Sequence, residues 1–259
     1  MKGTALITGA TGGLGYAYAR YLAGEGYDLI LTGRREAIYQ RAQALREEFG
    51  VPVTVLRPQL GRPEGVEELL AAVGDREIDV LVNNAGFGYA GKLVDMPPEK
   101  LEEMLYLHVI CTTRLCRAVG RAMAERGRGT ILNIASAAAF APAPNSAVYA
   151  ASKRYILHFS EALHVELSPR GVRVQAVCPG MVDTDFHARM GVERTANWRA
   201  LLPFRRPEDV VADAMGDLRR GRVVSVPDRG GRLLRQADRH LPRGLFYKVL
   251  GLADRHIMR

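Results

Sequence analysis

The segment GTALITGATGGLGYAYARYLAG, residues 3–24, contains a strand pattern, a glycine-rich turn and a helix pattern in succession. Gly3 to Thr8 predicts a short buried strand, and apolar residues at helical spacing continue from Gly13 to about Gly24. Glycines in such a turn let the backbone approach a pyrophosphate, whose charge suits the N-terminus of the helix. The flanking strand and helix favour a nucleotide loop over the alternative, a tight turn that only starts a helix. The candidate nucleotide-binding residues of this loop are Gly9, Thr11, Gly12, Gly13, Leu14 and Gly15.

The second apolar run, Tyr27 to Thr32, is followed by the cationic pair Arg34 and Arg35. A dinucleotide-binding fold often carries an acid at this point to hold the ribose 2′-hydroxyl, whereas Arg accommodates a 2′-phosphate. Because the acid is absent and two guanidiniums follow, the sequence favours NADP(H) over NAD(H). The alternative is a solvated helix start with two exposed arginines.

Strand and helix patterns alternate along the chain and predict an α/β fold, with one Rossmann-type domain over residues 1–259. The predicted strands cover residues 3–8, 27–32, 51–57, 77–83, 129–135, 172–178 and 222–226. Helical periodicity covers residues 13–24, 35–48, 63–73, 98–126, 147–168 and 207–220. This alternation calls for a doubly wound parallel sheet with helices on both faces and with ligands at the carboxyl ends of the strands. The residues at or just beyond such ends are Gly9, Gly33, Asn83, Ser136 and Pro179.

Tyr149 and Lys153 stand four residues apart, and Ser136 lies thirteen residues before the tyrosine. On a helix, positions i and i+4 share a face, so the phenol and the ammonium can meet in one pocket. The pKa of a free tyrosine is about 10, and a neighbouring cation lowers it towards neutrality. With a serine hydroxyl to bind a substrate oxygen, the trio predicts a site that moves a proton on or off that oxygen. The alternative is an amphipathic helix whose tyrosine packs and whose lysine reaches solvent.

Five motifs occur in one order along the chain: Thr8-Gly9-ATG-Gly13-L-Gly15, Asn83-Asn84-Ala85-Gly86, Ser136, Tyr149 with Lys153, and Pro179-Gly180-MVD-Thr184. With these motifs the chain resembles the short-chain dehydrogenase/reductase family over essentially its whole length, and it looks most like NADP-preferring bacterial members. The resemblance implies hydride transfer between NADP(H) and a ketone, an aldehyde or a secondary alcohol, with Tyr149 as the acid or base. It also implies that Ser136 orients the substrate oxygen and that Lys153 lowers the Tyr149 pKa and holds the ribose. The further cofactor contacts that it implies are Gln59, Leu60, Asn83, Ala85, Gly86, Pro179, Gly180, Val182 and Thr184.

Two positions depart from the family pattern. Many members carry an Asn 28 residues before the catalytic serine, where this chain has His108. That Asn holds a water linking the catalytic lysine to solvent. His108 is therefore a candidate catalytic residue with two open roles, placing such a water through one ring nitrogen or packing as a structural side chain. Gln59 replaces an Asp that contacts the adenine amine, and we expect a softened contact there.

Apolar side chains flank the predicted chemistry and indicate a small apolar carbonyl or alcohol substrate. They are Phe87, Tyr89, Phe140, Met181, Phe186 and Trp198. The resemblance implies a substrate lid over residues 185–206. The alternatives are an ordinary core with a lid hinge, or selection of a carboxylate by Arg189, Arg194 or Arg199.

The formal net charge is +8, and residues 228–259 form a basic amphipathic C-terminal extension. Two roles stay open for it, covering the subunit with a charged outer face or contacting an anionic membrane surface. We expect no nucleic-acid partner, because no base-stacking aromatic residues or nucleic-acid motif accompany the charge.

The three cysteines, Cys111, Cys116 and Cys178, have no metal-binding spacing, and their odd number suits reduced thiols. We therefore expect a cytoplasmic protein without a metal, a signal peptide or a membrane-spanning segment. The resemblance implies a homodimer or homotetramer formed through residues 98–126 and 147–168. A different function stays open, an NADP(H)-binding scaffold or redox sensor with little turnover. Nucleotide-sugar epimerases share the Tyr-x-x-x-Lys pattern but need more chain after Thr184.

Overall fold

The computed structural model describes residues 2–190 and 204–248, and these residues contain seven parallel strands of one sheet. The strands are β1 (Thr4–Ile7), β2 (Asp28–Thr32), β3 (Val53–Leu56), β4 (Val80–Asn83), β5 (Gly129–Ile134), β6 (Val172–Val177) and β7 (Val224–Ser225). Their order in the sheet is β3-β2-β1-β4-β5-β6-β7. This order confirms the predicted doubly wound fold. It reverses direction between β1 and β4, which opens a crevice at the carboxyl ends of these two strands.

Helices cover both faces of the sheet, as predicted. They are α1 (Gly13–Gly24), α2 (Ala37–Phe49), α3 (Pro63–Val73), α4 (Pro98–Leu105), α5 (Thr112–Arg126), α6 (Ala147–Leu167), α7 (Phe186–Arg189), α8 (Pro207–Arg219) and α9 (Arg229–His240). A proline begins α3, α4 and α8, where its fixed φ suits the first helical turn and its missing N–H is not needed.

The predicted helical stretch over residues 98–126 is helical throughout, but it is not a single α-helix. A π-helical segment, Tyr106–Cys111, separates α4 from α5. Apolar periodicity cannot distinguish the two cases, because a π-turn widens the helix by one residue without breaking the run. Such turns are rare and occur mostly where a protein builds a functional site.

The alternation of side chains along each strand divides the core into two layers. Leu6 and Ile30 face the layer beneath α3, α5 and α6, whereas Ile7, Leu29 and Leu31 face the layer beneath α1, α2 and α8. All five side chains are at most 2% exposed. Strands buried on both faces explain why the sequence shows continuous apolar runs instead of alternation.

A chain of buried polar side chains crosses the middle of the sheet. Asn83 Nδ2 donates to Asn133 Oδ1 at 2.8 Å and to Cys116 Sγ at 3.2 Å. Asn133 Nδ2 donates to Ser160 Oγ at 2.9 Å, and the Ser160 hydroxyl donates to the Ile156 carbonyl at 2.7 Å. Asn133 and Ser160 are 0% exposed. The network thereby joins β4 and β5 to α5 and α6.

The C-terminal segment packs on the sheet through α9. Asp228 caps this helix by accepting from the Gly231 backbone N–H at 2.6 Å, and Gly231 and Leu234 face inward. The outer face carries exposed arginines. The C-terminal part of the predicted extension, residues 249–259, and most of the predicted lid, residues 191–203 with Arg194, Trp198 and Arg199, lie outside the described residues. Within residues 2–190 and 204–248, no helix is both long enough and apolar enough to cross a membrane.

Replacing Asn133 tests the buried polar network. Asn133→Ala removes the oxygen that accepts from Asn83 and the N–H that donates to Ser160, so Asn83 keeps only the Cys116 sulfur and Ser160 only the Ile156 carbonyl. We expect the free energy of unfolding to fall by about 1–3 kcal/mol. Urea titration followed by circular dichroism measures this change. Gln43→Ala, which removes an exposed amide from α2, is the control and should change stability by less than about 0.5 kcal/mol. Equal stability of the two variants would contradict the account.

Candidate active site

The glycine-rich turn lies between β1 and α1, at the crevice of the sheet. Gly9 has a φ of +69° and Gly13 a φ of +55°, a region that side chains with a Cβ rarely adopt. At Gly15 the restriction is steric, because a Cβ would lie 2.4 Å from the Gly9 carbonyl oxygen. Backbone therefore packs on backbone here, and the N-terminal N–H groups of α1 stay open towards the crevice.

Asn84 braces this turn from the neighbouring strand. Its Nδ2 donates to the carbonyls of Thr8 at 3.0 Å and Gly9 at 3.1 Å, while its backbone N–H donates to Thr8 Oγ1 at 2.9 Å. The Ala85 N–H also donates to Thr8 Oγ1, at 3.0 Å. The predicted cofactor residue Asn83 instead directs its side chain into the sheet. Sequence reasoning allowed the asparagines of this motif to brace the loops but did not assign that role to Asn84, although alternation along β4 indicates that only one of the two can face inward.

Several arginines gather beyond the carboxyl end of β2, where a ribose 2′-phosphate is predicted. Arg34 Nη1 forms an ion pair with Glu103 Oε1 at 2.7 Å. The Arg35 guanidinium lies over the glycine-rich turn, with Nη2 3.6 Å from the position of a Cβ at Gly12. Among the described residues, Arg35 takes part in no ion pair, so its charge is available to an anion.

Two further arginines that the sequence analysis did not assign to the cofactor contribute to this charge. Arg57 donates to the Arg34 carbonyl at 2.8 Å and pairs with Glu36. Burial, and secondly the charge of Arg35, lower the pKa of Arg189 from its usual value. A guanidinium whose pKa is lowered by a like charge indicates a place that favours anions. Of the predicted adenine-side residues, Gln59 is exposed just after β3, and Leu60 is buried beside it.

Ser136, Tyr149 and Lys153 meet at the carboxyl end of β5. Ser136 caps a short 3₁₀ helix, Ala137–Phe140, by accepting from the Ala138 N–H at 3.1 Å, and its hydroxyl is near enough to the Tyr149 phenol to oppose the rise of the phenol's pKa. Lys153 Nζ lies 5.7 Å from the centre of the Tyr149 ring and donates to the Ile134 carbonyl at 2.8 Å. The trio predicted from spacing thus occupies one place beside the glycine-rich turn.

The acidities of this trio differ from the sequence-based prediction. Burial raises the pKa of Tyr149 to about 12, although the hydrogen bond from Ser136 opposes the rise. Burial also lowers the pKa of Lys153 to about 8. The expected lowering of the Tyr149 pKa by Lys153 is therefore wrong for the protein alone, because loss of water disfavours both the phenolate and the ammonium. At neutral pH the tyrosine is protonated.

His108 lies in the π-helical segment and is 0% exposed. Its Nε2 accepts from the Phe87 N–H at 3.2 Å, and its Nδ1 lies 2.8 Å from Ser152 Oγ. The ring also contacts Tyr149, with centroids 5.9 Å apart. At Gly86 a Cβ would lie 2.8 Å from His108 Nε2, so no side chain fits between the loop and the imidazole.

The segment after β6 crosses the glycine-rich turn. Its Gly180 N–H donates to Asp228 Oδ2 at 2.8 Å, which ties it to α9, and Val182 forms a bridge with Arg205. The Thr184 methyl group comes within 3.0 Å of the position of a Cβ at Gly13. The Pro179 carbonyl accepts from the Ala137 N–H at 2.8 Å, which joins the segment to the turn that begins at Ser136. The predicted cofactor residues of this segment thus adjoin both the glycine-rich turn and the Ser136, Tyr149 and Lys153 trio.

Apolar side chains surround the open side of Tyr149. A cavity there is lined by Tyr89, Gly91, Leu93, Met96, Met104, Ser146 and Val148. The Phe186 ring centroid lies 5.8 Å from that of Tyr149, and Met190 packs against Gly88. Phe140, predicted to flank the substrate, is instead 3% exposed and packs in the core with Leu157. Within the described part of the chain no cluster of His, Cys, Asp and Glu is able to hold a metal ion.

Comparisons with known proteins agree with this geometry. The family model for short chain dehydrogenases matches residues 3–194. A very-long-chain 3-oxoacyl-CoA reductase of Anas platyrhynchos is 37% identical over 186 residues, which cover 70% of this chain and 60% of that relative. The chain therefore matches less than two thirds of that relative's length.

Two solved structures share the fold over nearly the whole chain. A short-chain dehydrogenase from Sphingobium yanoikuyae in complex with NADPH is 32% identical, with a TM-score of 0.81, covering 99% of this chain and 94% of that one. A bulky-bulky ketone specific alcohol dehydrogenase from Comamonas testosteroni is 29% identical, with a TM-score of 0.78, covering 99% and 93%. The stretch that the family model matches, residues 3–194, includes both the glycine-rich turn and the Ser136, Tyr149 and Lys153 trio. The chain belongs to the short-chain dehydrogenase/reductase family and is an oxidoreductase of the class that interconverts CH–OH and C=O groups.

Proposed function

We propose that the protein is an NADP(H)-dependent oxidoreductase that transfers a hydride between the nicotinamide and an apolar ketone, aldehyde or secondary alcohol. The observation that carries this proposal is the meeting of Ser136, Tyr149 and Lys153 beside a glycine-rich turn that exposes the start of α1. One group of residues would hold a dinucleotide, and the other would exchange a proton with a substrate oxygen. A scaffold or sensor would need only the first group.

The residues around the crevice fit NADP(H). The turn at Gly9 and Gly13 offers backbone N–H groups to a pyrophosphate, and Arg35 lies beside it without an acidic partner among the described residues. NADP(H), when bound, supplies or accepts the hydride. A solved relative at 32% identity was crystallised with NADPH.

The proton step follows from the acidities of the trio. In the direction of reduction, Tyr149 gives the proton of its phenol to the substrate oxygen, and its raised pKa keeps it protonated until that moment. Ser136 binds the same oxygen. The Lys153 ammonium, 5.7 Å from the ring centre, stabilises the phenolate that forms. In the direction of oxidation the same groups act in reverse.

The substrate we infer is apolar and larger than a simple alcohol. The wall formed by Tyr89, Leu93, Met96 and Phe186 offers aromatic and aliphatic contacts around Tyr149. Leu93 is 53% exposed, so this wall continues to the surface. A structural relative is specific for bulky ketones, and a sequence relative reduces a long-chain 3-oxoacyl thioester.

We also propose that the protein forms a homo-oligomer through the outer faces of the π-helical segment and α6. Ile110, Tyr155 and Val165 are exposed there, at 44%, 38% and 71%. The homodimer or homotetramer that the family resemblance implies would bury these three side chains against a second copy. Light scattering after size-exclusion chromatography tests this proposal, and a monomer at micromolar concentration would contradict it.

The C-terminal surface favours contact with an anionic membrane. Its exposed apolar side chains, Leu233 at 72%, Leu245 at 49% and Tyr247 at 56%, stand among exposed arginines. Because α9 also packs on the core, the inner face covers the subunit while the outer face stays available. Sedimentation with phosphatidylserine vesicles tests this proposal, and Leu233→Ser should weaken the binding. The proposal would be overturned if the wild type and Leu233→Ser sedimented equally with the vesicles, or if the wild type did not sediment with them.

Removal of the phenol oxygen tests the proposed chemistry. Tyr149→Phe takes away the proton donor, and we expect kcat to fall by about 10²–10⁴-fold with NADPH affinity unchanged within about threefold. A panel of bulky ketones, followed by NADPH absorbance and fluorescence titration, measures both quantities. Tyr21→Phe, which removes a hydroxyl bonded to Arg219 at the far end of the molecule, is the matched control. Retained turnover in Tyr149→Phe would refute the proposal.

Cofactor selectivity distinguishes the two arginines that follow β2. Arg35→Gln should weaken NADPH binding by about 10–100-fold and leave NADH binding nearly unchanged, since only NADPH carries the 2′-phosphate. Arg34→Gln should have a smaller effect, because Glu103 already engages that guanidinium. Calorimetric titration with each cofactor gives the two affinities. A larger loss of NADPH affinity in Arg34→Gln would show that the assignment is reversed.

A further inference from the structure

His108 occupies the junction of three parts of the site. It projects from the π-helical segment, its ring contacts the loop after β4, and it reaches α6 at Ser152. The centroids of the Phe87 and Tyr149 rings lie 6.0 and 5.9 Å from that of the imidazole. The side chain is 0% exposed, so its protonation state is defined by these contacts.

The hydrogen bonds assign one tautomer to the ring. A backbone N–H can only donate, so the bond from Phe87 requires an unprotonated Nε2. A neutral imidazole then carries its proton on Nδ1 and donates it to Ser152 Oγ, 2.8 Å away. The Ser152 hydroxyl is thereby free to donate its own proton, and it does so to the Tyr149 carbonyl at 2.7 Å.

Three successive hydrogen bonds therefore connect the loop after β4 to the backbone of Tyr149. Their lengths are 3.2, 2.8 and 2.7 Å from Phe87 to Tyr149. Each link has a single donor and a single acceptor. The loop is the same one whose Asn84 braces the glycine-rich turn. The distance between that turn and the catalytic phenol is thus set through His108.

The surroundings disfavour a charged imidazole. A second proton, on Nε2, would point at the Phe87 N–H and find no acceptor there. The ionisable groups that face the ring from α6 are Lys153, which is cationic at neutral pH, and Tyr149, which is neutral; within the π-helical segment, the Cys111 thiol is neutral too. Burial, and secondly the charge of Lys153, hold the pKa of His108 well below its usual value of 6.5.

We propose that His108 is a positioning residue that, as a neutral Nδ1–H imidazole, fixes the start of α6 and hence Tyr149 relative to the loop that braces the cofactor turn. It carries no proton to or from the substrate, since both ring nitrogens are engaged in the fold. This inference rests on the proposed function only for its effect on turnover. The tautomer and the hydrogen bonds are properties of the protein itself.

Nitrogen NMR of the protein labelled with ¹⁵N-histidine tests the tautomer directly. We expect one histidine to show a protonated Nδ1 and an unprotonated Nε2 between pH 5 and 8, and this signal to be absent from His108→Asn. A signal that titrates near pH 6.5, or one with the proton on Nε2, would overturn the proposal. This readout needs neither substrate nor cofactor, so its failure is distinguishable from a failure of the proposed function.

Kinetics of matched variants separate positioning from a proton relay. The amide of His108→Gln can replace Nε2 towards Phe87 and loses the bond to Ser152, whereas His108→Asn can replace Nδ1 and loses the bond to Phe87. We expect each variant, and Ser152→Ala, to lower kcat on the order of 10–100-fold with an unchanged shape of the pH profile. Adding Ser152→Ala to either His108 variant should cost little more than the single change, because one broken link already severs the connection between the loop and α6.

Two outcomes would contradict the positioning role. Loss of an ionisation from the pH profile of His108→Gln would show a relay. If the His108 variants were less stable but kept the wild-type kcat well below their melting temperatures, His108 would be a purely structural residue. The control is His158→Asn, which replaces an exposed histidine of α6, the helix that carries Ser152 and Tyr149, and should leave kcat and its pH profile unchanged.

The pH dependence of stability gives a further check with a defined sign. His108 binds a proton near pH 6.5 when unfolded and stays neutral when folded. The unfolded state therefore takes up more protons below pH 6.5, and the free energy of unfolding falls as the pH drops through that value. Urea titrations at pH 7.5 and 5.5 should show a smaller loss of stability for His108→Asn than for the wild type or His158→Asn. Equal losses in all three would overturn the assignment.

Discussion

The buried ammonium of Lys153 constrains the rest of the active site. It is 5% exposed and donates to the Ile134 carbonyl at the end of β5. Burying a charge costs free energy unless the charge is hydrogen-bonded. The orientation of α6 about its axis and its position along β5 must therefore allow this bond. That placement brings Tyr149, one helical turn earlier, against the serine turn that follows the same strand. It also leaves Lys153 close enough to stabilise a phenolate when one forms.

The remaining elements meet this constraint from three directions. The glycine-rich turn packs against β4 with no room for a Cβ at Gly15, the loop after β4 reaches α6 through His108, and Asp228 ties the segment after β6 to α9. Each of these contacts joins residues that are distant in sequence. A parallel sheet gathers them because the carboxyl ends of its strands share one edge. These contacts hold the cofactor side of the site, whereas the exposed Leu93 marks the side that we propose for the substrate.

Much of this arrangement could be predicted from the sequence, for identifiable reasons. The strand pattern before Gly9 and the helix pattern after Gly13 defined the fold, because local periodicity reports burial directly. Spacing placed Tyr149 and Lys153 on one helix face. The predictions that failed concern properties that depend on how distant segments pack together. The π-turn at His108 leaves no periodic signal, and the raised pKa of Tyr149 follows from the loss of water, which spacing cannot express.

The arginines beyond β2 also show what the sequence can and cannot predict. Their roles are part of the most direct test of the account. Sequence alone indicated a cation for a 2′-phosphate; only the structure separates Arg34, paired with Glu103, from Arg35 over the glycine-rich turn. A crystal structure of the protein with NADPH tests the whole account. We predict the pyrophosphate on the glycine-rich turn, the 2′-phosphate bonded to Arg35, and the nicotinamide beside Tyr149. A nicotinamide bound away from Tyr149 would contradict the central claim that this phenol exchanges the proton.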